Sequence, residues 1–256
     1  GVRGVRGVRG VRGVRGVRWI SPVVPLLAIL LLALAPRANS QGSAGQVIGR
    51  ISFAPDSVMV SLLTIGPGGE LFDRFGHTAI RVQDRRTGLD SAWNWGMYDF
   101  AAPNFITRFL TGDTQYWMAA YPTDLMVQFY QRAGRAVWEQ DLALDKSQAD
   151  SLLTFLRWNA QDENKFYRYD YYLDNCSTRV RDALDAITGG ALKPAFMSAS
   201  NGVTWRGETL RLVEAFPLAA FGMTVALGRP AERTLTGWDE AFIPMRLRDA
   251  LRSVQL

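Results

Sequence analysis

One cysteine, Cys176, and one histidine, His77, occur in this 256-residue chain. A thiol and an imidazole are the minimum for nucleophilic thiol catalysis: the imidazole takes the proton, and a third group usually orients it. Cys176 follows Asp174-Asn175, good helix N-cap residues, and a helix is expected from Cys176 to about Ile187. In the first turn of a helix, unpaired N–H groups and aligned peptide dipoles favour negative charge, so a lowered thiol pKa is expected there. Val180, Ala183, Leu184 and Ile187 share the face of Cys176, which turns the sulfur inward. His77 opens a strand, and the neighbouring strand shows Ala92, Asn94 and Gly96 on the like face. Small residues leave room for another group to approach the imidazole. Asn94 is the candidate orienter, because an amide can accept from one imidazole nitrogen while the other faces the thiol. Each residue alone also has a structural reading: an inert buried cysteine, a satisfied histidine, a hairpin contact. Their combination in one short chain favours catalysis.

Other chemistries lack their residues. Zinc sites draw on several Cys or His ligands, so no metal is expected. A serine triad would need a nucleophile elbow, Gly-x-Ser-x-Gly, and would compete for the same histidine. Gly66, Gly68 and Gly69 do not continue to a third glycine at dinucleotide spacing and read as a turn, so no cofactor is expected. Asp170 and Asp174 flank aromatic residues and could hold an ion, but capping and solvation account for them.

The elements that must position these groups are legible from pattern. Ser57 to Ile65 reads as a strand ended by Gly66-Pro67-Gly68-Gly69. His77 to Gln83 and Ser91 to Tyr98 alternate apolar and polar residues and form a hairpin across the polar turn at 84–90. A short helix is expected over Pro103–Leu110, a second over Thr123–Ala133 with Thr123 as N-cap, and a strand over Ala136–Leu142. Asp145 with Gln148 makes a capping box for a helix reaching Asn159. The aromatic run Phe166 to Tyr172 precedes the cysteine helix, which Gly189-Gly190 ends. From Trp205 onward the chain reads as mostly helical, with the uncharged run Ala215 to Gly228 expected as a buried helical hairpin rather than a surface resting on lipid. The fold class is α+β, helices packed on a small antiparallel sheet.

The N-terminal forty residues stand apart. Six Gly-Val-Arg triplets ending at Arg18 form a low-complexity leader. Trp19 to Ala35 is almost wholly apolar, and Ala38-Asn39-Ser40 fits a signal-peptidase site. The stretch carries Pro22 and Pro25 and falls short of a bilayer span, so a cleaved signal at 19–40 is expected rather than a retained inner-membrane anchor. A linker over 41–56 and one enzyme domain over 57–256 complete the expected organisation. Seven of the 29 basic residues lie in the first forty, leaving 22 against 24 acids, and this slightly negative body offers no footprint for nucleic acid. A lone thiol in a disulfide-forming compartment is a liability unless it is buried or used.

Several segments together resemble the N-terminal periplasmic domain of the Lnb lipoprotein N-acyltransferases. They are Leu63-Thr-Ile-Gly-Pro-Gly, Arg74-Phe-Gly-His-Thr-Ala, Trp93-Asn-Trp-Gly, Tyr98-Asp-Phe, Pro103-Asn-Phe, Val137-Trp-Glu-Gln, Tyr169-Asp-Tyr-Tyr-Leu-Asp-Asn-Cys-Ser-Thr-Arg and Leu227-Gly-Arg-Pro-Ala. The resemblance runs from about Ser57 to the C-terminus. It implies a permuted relative of the NlpC and lecithin retinol acyltransferase groups, with a papain-like core in which His77, Asn94 and Cys176 follow in that order. It further implies acyl transfer in the periplasm of a Gram-negative bacterium, from a phospholipid donor through a cysteine thioester to the α-amine of a lipoprotein, at or near a membrane surface. Full-length members carry membrane-spanning helices after this domain, and none is seen here through Leu256. Two readings stay open beside it: a cell-wall amidopeptidase using the same Cys-His machinery on peptide, and a non-catalytic periplasmic binding domain.

Overall fold

The computed structural model describes residues 58–99, 108 and 115–254. Among these, six antiparallel strands form one sheet: β1 (Val58–Ile65), β2 (His77–Asp84), β3 (Leu89–Met97), β4 (Gln115–Pro122), β5 (Val137–Asp141) and β6 (Phe166–Arg168), in the order β5-β1-β2-β3-β4-β6. The helices are α1 (Thr123–Arg132), α2 (Lys146–Asn159), α3 (Cys176–Ile187), α4 (Leu192–Met197), α5 (Trp205–Leu212), α6 (Pro217–Ala226), α7 (Gly237–Glu240) and α8 (Pro244–Ser253). The architecture is α+β, as the pattern of the sequence indicates.

Because side chains alternate across a strand, the sheet has two distinct faces. Val60, Leu62, Ile80, Val82, Trp93, Trp95, Tyr116 and Met118 supply the larger one. Leu152 and Leu156 of α2, Val180 and Leu184 of α3, and Leu247 of α8 cover it, all fully buried. The opposite face is smaller: Leu63, Ile65, Ala79 and Ala92 lie under Met126 and Tyr130 of α1. The central strand β1 is buried on both sides, which its near-continuous apolar sequence requires. A third cluster, Trp205, Leu212, Leu235, Phe242 and Ile243 with Tyr171 and Tyr172 against it, ties α5 to the segment preceding α3.

The capping box of α2 forms as expected: Asp145 accepts from the Gln148 amide at 2.8 Å, and Gln148 Oε1 accepts from the Asp145 amide at 2.9 Å. Other expectations are corrected. Thr123 is the first residue of α1 and not its cap; the cap position falls on Pro122, which still pairs with Ser91 in the sheet and so enters the helix directly from a strand. Strand β4 carries a period-two signal in Tyr116 and Met118, but Ala119-Ala120 dilutes it and its partners are distant in sequence. Strand β6 is only three residues long, too short for any periodicity. Ala215 to Gly228 holds one helix, not a buried hairpin: Pro217 starts it at a position suited to proline, and no turn residue breaks it before Leu227. None of its residues is buried. The helix expected over Pro103–Leu110 and the N-terminal leader and signal lie outside the described residues.

Candidate active site

The sequence Asn175-Cys-Ser-Thr builds a rigid helix start. Asn175 takes an extended conformation, and its Oδ1 accepts from the amides of Ser177 at 2.8 Å and Thr178 at 2.9 Å. Thr178 Oγ1 accepts from the Asn175 amide at 2.8 Å, completing a reciprocal box. The remaining Asn175 donors reach Tyr171 O at 2.8 Å and Phe242 O at 3.0 Å, and Ser177 Oγ donates to Ala241 O at 2.8 Å. A distant segment, Ala241-Phe242, and the nearby Tyr171 carbonyl therefore clamp the turn that holds Cys176. Asp174 is spent on Arg179 through Nε–Oδ1 at 2.5 Å and Nη2–Oδ2 at 2.8 Å. Asp170 accepts from the amides of Tyr172 and Leu173, each at 2.9 Å. An ion pair thus employs the Asp174 carboxylate and turn formation that of Asp170; neither caps α3, whose cap is Asn175.

His77 begins β2 and is buried. Ala79 lies directly opposite Asn94 in the β2–β3 ladder, so His77 and Asn94 are diagonal neighbours on one face. His77 Nε2 and Asn94 Oδ1 stand 2.9 Å apart. Asn94 Nδ2 donates to Ala92 O at 3.0 Å, which turns the amide oxygen toward the imidazole. Nε2 must then carry the proton, and Nδ1 keeps a lone pair for use as a base.

Helix α3 packs on the larger face of the sheet and His77 lies on the smaller, so a thiol from the one and an imidazole from the other could meet only at an end of the sheet. Two features open that end. The ladder between β3 and β4 is irregular between Asn94 and Met97, and Gly96 within it has φ 96°, a left-handed value that favours glycine. A methyl group on Gly96 would stand 3.6 Å from Cys176 Cβ. The backbone amides of Thr78, Ser177 and Cys176 itself face the thiol closely enough to favour its ionised form. Thr78 follows His77 directly, so the thiol is seated against the backbone that carries the imidazole.

The electrostatics correct one expectation. The three amides do favour the thiolate, but burial outweighs them and pushes the Cys176 thiol up to about 11, with Arg135 a minor opposing influence. Burial likewise lowers His77 to about 4; the Asn94 hydrogen bond opposes this, and the positive charge of Arg135 reinforces it. The resting pair is a neutral thiol and a neutral imidazole. Arg135 is buried, donating from Nε to Gly66 O at 2.9 Å and from Nη1 to Asp73 Oδ1 at 2.7 Å. Its guanidinium lies 5.0 Å from the Tyr130 ring centre, and that ring lies 6.0 Å from the imidazole. Neither Tyr130 nor Arg135 carries a motif that would mark it in one sequence. Gly96 does: a glycine interrupting an aromatic strand signals a bulge or close approach.

The family model for the Lnb N-terminal periplasmic domain matches residues 48–207. The chain belongs to that family. The matched span includes His77, Asn94 and Cys176 and stops short of α6 and the Leu227-Gly-Arg-Pro-Ala segment, so the likeness is narrower than the sequence reading to the C-terminus. No curated protein and no solved structure matches the chain. No helix among the described residues is long and apolar enough to cross a membrane.

Proposed function

We propose that this Lnb-type domain is an exported, periplasmic thiol acyltransferase, in which Cys176 takes a fatty acyl chain from a phospholipid as a thioester and passes it to the α-amine of a lipoprotein. The observation that carries the reading is the buried His77–Asn94 pair, 2.9 Å apart, at the sheet end where the backbone after His77 meets the Cys176 sulfur. His77 Nδ1 accepts the thiol proton as sulfur attacks the ester carbonyl, and the imidazolium then protonates the departing lysolipid oxygen. In the second half-reaction the base takes a proton from the incoming ammonium-derived amine, which attacks the thioester and releases the thiol. Asn94 holds the ring in the tautomer that both steps need.

The outward face of α6 supports a lipid donor over a peptide. Leu218, Phe221 and Val225 project into solvent, and no charged residue occurs between Glu214 and Arg229. A surface helix in water ordinarily turns its apolar residues inward. Leu173, three residues before the nucleophile, is also exposed.

Incubating the protein with phospholipid vesicles, quenching in acid and weighing the intact chain tests this. A long-chain acyl mass on Cys176, released by hydroxylamine and absent in Cys176→Ala, is the expected result. No adduct from lipid together with Cys176-dependent cleavage of cell-wall peptides would transfer the case to an amidopeptidase.

A further inference from the structure

Tyr167 sits in the middle of β6, opposite Tyr116 of β4, and is only 8% exposed. Its hydroxyl is buried and has no hydrogen-bond partner. Leaving a buried hydroxyl unpaired is costly, and native structures do so rarely and for a reason. The ring cannot turn away to find a partner. Arg179 stacks on it with its guanidinium carbon 3.8 Å from the ring centre, and Asp174 pins Arg179 through two hydrogen bonds.

The hydroxyl is aimed at the nucleophile. The space that a side chain on Gly96 would fill is bounded by Cys176 Cβ at 3.6 Å and by Tyr167 Oη at 4.0 Å. Gly96 leaves that space empty, and its left-handed backbone discourages any other residue there. Burial, and next the Cys176 sulfur, hold the phenol well above its usual pKa, so it keeps its proton at any working pH and has it to donate.

We infer that Tyr167 is a catalytic residue whose hydroxyl donates a hydrogen bond to the oxyanion formed when the Cys176 sulfur adds to an acyl carbonyl seated over Gly96. The inference rests on the thiol-acylation reading above. The sulfur electron pair forms the S–C bond, and the carbonyl π pair moves onto oxygen, where the Tyr167 O–H meets it. On collapse that pair re-forms the carbonyl, the C–O bond to the leaving alcohol breaks, and His77 returns to the alcohol the proton it took from the thiol. Tyr167 keeps its proton throughout. Its missing partner arrives with the substrate, which is why the hydroxyl is orphaned in the free protein.

Tyr167→Phe removes the hydroxyl and keeps the ring. The test compares two reactions of Cys176 in the full chain. Acylation by a p-nitrophenyl ester passes through a tetrahedral oxyanion; alkylation by iodoacetamide does not. Loss of one oxyanion donor typically costs roughly 10²–10³ in rate. Tyr167→Phe should therefore slow acylation by about that factor, leave alkylation at the wild-type rate, and leave the thermal midpoint unchanged or raised, since no protein partner is lost. Unchanged acylation overturns the inference, and so does an equal loss in both reactions, which would place the effect on the thiol itself. The activated ester also separates this inference from the lipid reading. A wild-type protein that acylates from the ester but never from vesicles would end the phospholipid assignment while leaving the role of Tyr167 decided by the comparison.

Discussion

At the scale of single residues, the site is tuned by burial more than by charge. His77 is held neutral down to about 4, well below the ordinary value of 6.5, chiefly because an imidazolium in this position would lack solvent. The base form is therefore present above that value and lost below it. The acid limb of kcat/KM for acylation should fall near pH 4, and a midpoint at 6.5 would mean that His77 is not the base. Asn94→Ala removes the hydrogen bond that raises the imidazole pKa, so the limb should move lower still, while the lost orientation slows the reaction across the whole range. His77→Gln removes the base altogether and should cost roughly 10²–10⁴ in rate. The thiol, raised to about 11, should gain alkylation rate steadily through neutral pH instead of reaching a plateau there.

At the scale of elements, the start of α3 does two jobs with one residue. Asn175 caps the helix through Oδ1, and its amide group binds carbonyls of Tyr171 and Phe242. Losing an N-cap costs ~0.5–2 kcal/mol, and the buried Phe242 carbonyl left without its donor adds ~1–3 kcal/mol. Asn175→Ala should accordingly lower unfolding free energy in urea by about 2–4 kcal/mol, above the ordinary cap value. A loss under ~0.5 kcal/mol would show that the clamp does not hold the turn. Asn175→Asp keeps the acceptor and loses the donors, so it should fall between the two. Reduced acylation in both variants is expected, because the same turn aims the sulfur.

At the scale of the whole molecule, α6 gives the protein an apolar exterior close to the cluster that clamps α3. The edge-to-face contact of Tyr172 with Trp205, 4.7 Å between ring centres, joins the segment before Cys176 to α5, and α5 packs on α6. Phe221→Asp should weaken co-sedimentation with phospholipid vesicles severalfold and slow acylation from vesicles, while acylation by a soluble ester is unchanged. Equal vesicle binding by the variant would count against a lipid-facing role for this helix. Much of this protein is legible without coordinates. The hairpin of β2 and β3, the capping box at Asp145 and the helix at Cys176 depend on local preferences that a few neighbouring residues express, and composition alone singles out one thiol and one imidazole as the candidates. Strands β4 and β6 were not legible, because they gain their stability from partners distant in the chain. The depth of burial was equally hidden. A helix start favours a thiolate, and only the packing around Cys176 reveals that desolvation wins. The same holds for the geometry around the two residues: the sequence turns the Cys176 sulfur inward and puts His77 beside Asn94, while only the tertiary structure shows that α3 packs on one face of the sheet and His77 lies on the other, with Gly96 between the strand bulge and Cys176, since distance and desolvation are properties of the packed chain and not of its segments.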